Sequence, residues 1–91
     1  MELRVIKYGA EWCHQCKQQD KEFKKFPLKE GVELIIIDVE DLPDEEVEKL
    51  NIKSIPVTML QKLNDSGEWE TVQSWTSFVK VPEINKVIES L

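Results

Sequence analysis

Positive charge is in short supply. Twelve Lys and Arg stand against eighteen Asp and Glu, a formal net charge of −6. Nucleic-acid binding rests on cations that neutralise phosphates, so nucleic acid is excluded as a main partner. Long apolar runs are missing too. The longest clean one, Leu34 to Ile37, is only a strand core. A secretory leader needs about 7–15 consecutive apolar residues and a membrane helix about 20. Met1 to Lys7 alternates charged with apolar side chains. The expectation is a cytoplasmic chain with no leader and no membrane span. Histidine occurs once and cysteine twice. Zinc takes four ligands, and His14, between the cysteines, cannot readily close the same tetrahedron with them. No metal site is expected from one copy of the chain.

What remains suits one small domain. Ninety-one residues, 41% apolar and 33% charged, can build one core and a well-solvated surface. A single domain over residues 1–91, acting as a monomer, is expected; no linker, repeat or low-complexity stretch divides it. Asp38 to Glu48 carries seven carboxylates and no basic residue. That run reads as a solvated helix start, or else as a patch that selects basic partners.

The apolar pattern sets the order of elements. Leu3 to Tyr8 reads as a strand ended by Gly9. From Cys13 the period becomes helical, with Cys13, Cys16, Phe23 and Phe26 on one face, and Pro27 stops the helix near Lys25. Both phenylalanines are assigned to the core. Val32 to Val39 is a second strand, whose apolar centre suits burial on both faces. Pro43 opens a second helix, and Asn51 is a left-handed stop. Val57 to Leu63 and Glu68 to Trp75 are strands joined by a turn at Asn64-Asp65-Ser66-Gly67, with Trp69 and Trp75 as sheet residues. Pro82 starts a last helix with the stripe Ile84, Val87, Ile88 and Leu91. The fold class is α/β, ordered β-α-β-α-β-β-α, with a four-stranded mixed sheet flanked by three helices.

The cysteines sit where the first strand hands over to the first helix. Free N–H groups and the dipole at a helix start stabilise a thiolate there. Residues one turn apart have Cα atoms about 5 Å from each other, a separation a disulfide accepts. Cys13, at the exposed end of the helix, is expected to attack a substrate disulfide; Cys16, buried a turn further in, would resolve the mixed disulfide. Two other readings use the same residues: a dimer holding zinc or an iron–sulfur cluster on four thiolates, and a binding module in which the thiols act as a redox switch.

Tyr8-Gly9-Ala10-Glu11-Trp12-Cys13-His14-Gln15-Cys16-Lys17 resembles the active-site segment of thioredoxins, in which Trp-Cys-x-x-Cys-Lys follows a central strand. A distal match is Ser54-Ile55-Pro56-Val57-Thr58. The resemblance covers nearly the whole chain, without the extra N-terminal strand and helix of full-length thioredoxins; in compactness the chain also resembles a glutaredoxin. It implies a thioredoxin-like fold and a thiol–disulfide oxidoreductase with no cofactor beyond the Cys13–Cys16 disulfide. It also implies disulfide-bearing protein substrates, a thioredoxin- or glutaredoxin-type reductant, and a cis Ile55–Pro56 bond at which Ile55 offers backbone groups to the substrate. Trp12 would flank the disulfide as lid and contact surface.

The chain departs from that pattern at several positions. His14-Gln15 replaces the Gly-Pro of thioredoxins and the Pro-Tyr of glutaredoxins. A cationic His14 would favour the Cys13 thiolate; otherwise it is an exposed polar residue. Trp75 or Thr76 stands where a Gly is common. Lys7 occupies the place of a buried Asp, and Leu34 that of its accompanying Lys. Lys7 and Gly9 face the same side of the sheet, towards the helix carrying Cys16. An ammonium there favours thiolates; alternatively, Lys7 extends over apolar neighbours and puts its head in water.

Overall fold

The computed structural model describes residues 2–91; Met1, the first residue of the expected domain, lies outside the described residues. Strand β1 (Leu3–Gly9) leads into helix α1 (His14–Lys25) and strand β2 (Glu33–Asp38). A 3-10 turn, Val39–Asp41, precedes the short helix α2 (Asp44–Lys49). Strands β3 (Val57–Leu63) and β4 (Trp69–Trp75) and helix α3 (Val81–Glu89) complete the chain. The sheet order is β2-β1-β3-β4. β1 pairs with β2 in parallel and with β3 antiparallel, and β3 with β4 antiparallel. This is the expected four-stranded mixed sheet with three helices.

Local chemistry explains the connections. A parallel pair needs a crossover, which α1 supplies, whereas β3 and β4 join through a tight turn. There Asn64 Oδ1 accepts from the backbone N–H of Ser66 and of Glu68, each at 2.9 Å, and Gly67 takes a positive φ of 82°. Asn51 takes φ 57° just beyond α2, the left-handed stop its type favours.

β1 is central, so its alternating side chains feed two cores. Val5 packs with Leu60, Phe23 of α1, and Val81 and Ile84 of α3. Ile6 and Tyr8 pack with Val57 and Met59, against Leu42, Leu50 and Ile52 around α2. Gln19 is fully buried on the α1 face: its amide donates to Val79 O and accepts from Val79 N–H, both at 2.8 Å.

Three expected core positions lie elsewhere. β2 is the edge strand of the sheet: Leu34 packs on one core and Ile35 and Ile37 on the other, but Ile36 is 53% exposed. Phe26 is the C-cap of α1, where the chain has turned extended, and its ring is exposed. Leu91 falls beyond the end of α3, after Ser90 closes the last turn through its N–H and hydroxyl to Val87 O, and is exposed. The ends of elements shift by a residue: Val39 opens the 3-10 turn, and Pro43 is the cap of α2, its carbonyl accepting from Glu46 and Val47.

Candidate functional site

β1 ends at Gly9, and Cys13 N–H donates to Ala10 O as the chain turns into α1. Cys13 is the N-cap residue, with φ −88° and ψ 112°. Its side chain therefore occupies the position from which a cap accepts the orphan N–H groups of a helix start. Cys16 N–H donates to Cys13 Sγ at 3.1 Å. The two sulfurs are joined as a disulfide with Cα atoms 5.2 Å apart. Burial is less unequal than expected, at 8% exposure for Cys13 and 1% for Cys16. The cap sulfur lies against the first turn of α1, and Cys13 is reached through a cleft rather than standing free at the helix end.

That cleft has a volume of about 410 Å³ and an apolar lining from Trp12, Val39, Val47, Ile52 and Ile55 beside Cys13. The carbonyl oxygen of Ile55 lies 3.9 Å from Cys13 Sγ. The Ile55–Pro56 peptide bond is cis, and Pro56 is buried. Trp12 is 70% exposed; its indole N–H donates to Glu40 Oε1 at 2.9 Å, which fixes the ring at the rim of the cleft. His14 and Gln15 are exposed, and His14 Nε2 lies 3.4 Å from Gln18 Nε2 along the helix. Cys13, Cys16, Trp12 and Ile55 thus converge, while His14 and Gln15 face solvent. Trp69 and Trp75 belong to the sheet; Trp69 lies under Arg4 at 4.1 Å, and Trp75 packs on the α1-side core.

On the α1 side, Lys7 is 3% exposed, so its head is not in water. Its Nζ lies 2.8 Å from Asp20 Oδ1. That oxygen is enclosed, so the ion pair is formed out of contact with solvent on this side of Asp20. The sheet neighbour of Lys7 on β2 is Ile36. Gly9 makes room for the ammonium: a Cβ there would meet Lys7 Nζ at 2.6 Å and Cys16 Sγ at 3.0 Å.

Asp20 and Gln19 are polar residues of the site region that the apolar pattern does not single out. The spacing carried a signal for Asp20, since it is four residues after Cys16 and shares its helix face. Among the described residues, no three His, Cys, Asp or Glu side chains are grouped to hold a metal ion, and no helix is long and apolar enough to cross a membrane.

Known proteins resemble this chain in sequence and fold. A sequence model of the thioredoxin family matches residues 1–88. Thioredoxin 2 of Plasmodium berghei is 37% identical over 59 residues, which cover 64% of this chain and 38% of that protein. The match thus spans well under half the length of that relative. The crystal structure of Plasmodium falciparum thioredoxin superposes with a TM-score of 0.77 at 28% identity, covering 98% of this chain and 70% of the other. A structure described as a malarial protein has the same fold, with a TM-score of 0.80 at 22% identity, covering 99% and 97%. With a family match over residues 1–88 and a Cys-x-x-Cys pair at the start of the first helix, the chain belongs to the thioredoxin family.

Proposed function

We propose that this protein is a thiol–disulfide oxidoreductase that reduces disulfides in protein substrates, with Cys13 as nucleophile and Cys16 as resolving thiol. The observation that carries this reading is the double role of Cys13, whose sulfur caps α1 and borders the apolar cleft. In the reduced protein, the helix start favours a thiolate on Cys13. That thiolate attacks one sulfur of the substrate disulfide; a Cys13–substrate bond forms, the substrate S–S bond breaks, and one substrate thiolate leaves. Cys16, deprotonated for this step, attacks Cys13 Sγ, and the two protons the dithiol gives up equal those the substrate thiolates take. The mixed disulfide breaks, the Cys13–Cys16 bond forms, and the second substrate thiolate leaves. Two electrons have moved to the substrate, whose thiolates take up two protons. A thioredoxin- or glutaredoxin-type reductant restores the dithiol.

The cleft between Trp12 and Ile55 is where the substrate chain would lie, its disulfide brought to Cys13 beside the Ile55 carbonyl. Turnover of a disulfide-bearing protein with dithiothreitol as electron source tests the reading. Acceleration by wild type, lost in Cys13→Ser, is the expected result. A rate equal to that of dithiothreitol alone overturns it.

A further inference from the structure

The site contains a buried charge that the exchange steps above leave unused. A buried ammonium is costly unless paired, and Lys7 has one ion-pair partner among the described residues, Asp20. Its sheet neighbours, Ile36 on β2 and Thr58 on β3, carry no charge. The Thr58 hydroxyl is enclosed and without a hydrogen-bond partner among the described residues. The two charges differ in exposure: Lys7 is enclosed at 3%, while the Asp20 side chain is 36% exposed. Asp20 opens on a second cleft, of about 420 Å³, with Glu11, Lys17 and Asp38 also on its walls. Nζ of Lys7 and Sγ of Cys16 converge on the space left by the missing Cβ of Gly9.

We propose that Lys7 and Asp20 form a charge pair that sets the redox poise of Cys16, the ammonium favouring the reduced state and the carboxylate limiting that preference. This rests on the dithiol–disulfide reading above and adds the pair that tunes it. Reduction of the Cys13–Cys16 bond takes up two electrons and releases two sulfurs. A thiolate at Cys16 is stabilised by an adjacent ammonium, whereas a disulfide sulfur carries no charge for the ammonium to act on. Enclosure leaves the ammonium little screened by water, so its charge acts on the sulfur that shares the space beside Gly9. Asp20 opposes it, since every part of the ammonium charge that Asp20 neutralises is withheld from Cys16. Lys7 and Asp20 are positioning residues that act through the Cys16 sulfur, and their removal has opposite signs.

The test is the equilibrium with reduced and oxidised glutathione at pH 7, read by thiol trapping in wild type, Lys7→Met and Asp20→Asn. Methionine keeps the bulk of the lysine stem and removes its charge. Lys7→Met is expected to shift the constant about tenfold towards the disulfide, equivalent to about 30 mV more reducing for this two-electron couple. Asp20→Asn is expected to shift it several-fold the other way. Shifts of the same sign, or no shift in Asp20→Asn, overturn the proposal; lost thermal stability in both variants with unchanged equilibria assigns the pair a structural role only and overturns it too. If Lys7→Met does not fold, the sign of the Asp20→Asn shift decides alone. If wild type itself shows no dithiol–disulfide equilibrium, the functional reading fails, a different outcome from a wild type that titrates with variants that do not shift.

Discussion

The backbone N–H of Cys16 donates to Cys13 Sγ at 3.1 Å, so one thiol of the pair is held by the backbone of the other. The relationship is asymmetric: the Cys13 sulfur borders the cleft, and Cys16 is closed in. Cys16→Ser is therefore expected to accumulate mixed disulfides with substrate proteins, because the resolving step is lost. Cys13→Ser should accumulate none, yet remain folded, since serine is itself a good helix cap. Non-reducing electrophoresis after acid quenching separates the two outcomes. Equal trapping by both variants would contradict the assignment of roles.

Trp12 is predicted to serve recognition rather than folding. With 70% of its surface exposed, it contributes little to the core, and exposed substitutions usually change stability by no more than about 0.5 kcal/mol. Trp12→Ala should leave the unfolding midpoint nearly unchanged. It should raise KM for a disulfide-bearing protein while barely affecting a small disulfide that does not fill the cleft. Equal losses on both substrates would place the indole in the chemistry instead.

Gln19 ties α1 to the segment before α3. Gln19→Leu would leave both Val79 N–H and Val79 O buried without their partner. Each unpaired buried group costs about 1–3 kcal/mol, so a loss of about 2–6 kcal/mol is expected in urea unfolding. The glutathione equilibrium should stay at the wild-type value. A stability loss under about 0.5 kcal/mol would mean that solvent reaches Val79.

Tyr8 gives the fold an alkaline limit. Burial pushes its phenol above the ordinary value of 10.0, against a lowering by Arg4 and with a smaller rise from Glu46. The unfolded chain then ionises Tyr8 at lower pH than the folded protein does. The stability linked to Tyr8 is complete below about pH 10 and is lost as pH rises through the folded value. Urea midpoints of wild type should fall more steeply above about pH 10 than those of Tyr8→Phe. Parallel curves for the two proteins would contradict this.

Strong local signals made most of the fold legible in the sequence. The change from strand to helical period at Cys13, and Asn64 to Gly67 between two apolar strands, depend on chemistry within a few residues. Phe26 and Leu91 were misplaced because helix ends depend on where the chain leaves the axis. Ile36 was misplaced because an apolar run does not reveal whether its strand lies at the centre of a sheet or at its edge. In the site, the cysteines and the face of Lys7 followed from spacing alone. The partner of Lys7 did not, since pairing a strand residue with Asp20 requires knowing how α1 crosses β1. Gln19 was passed over because a buried polar side chain shows its purpose only once Val79 is seen beside it.

Cys13 and Cys16 are expected to work as one two-electron couple. Mass spectrometry of trapped thiols across a glutathione redox series tests it most directly. A single transition is expected, with both thiols modified together and an oxidised form lighter than the dithiol by two hydrogens. Thiols that are modified independently across the series, or that resist trapping because metal holds them in every preparation, would contradict it.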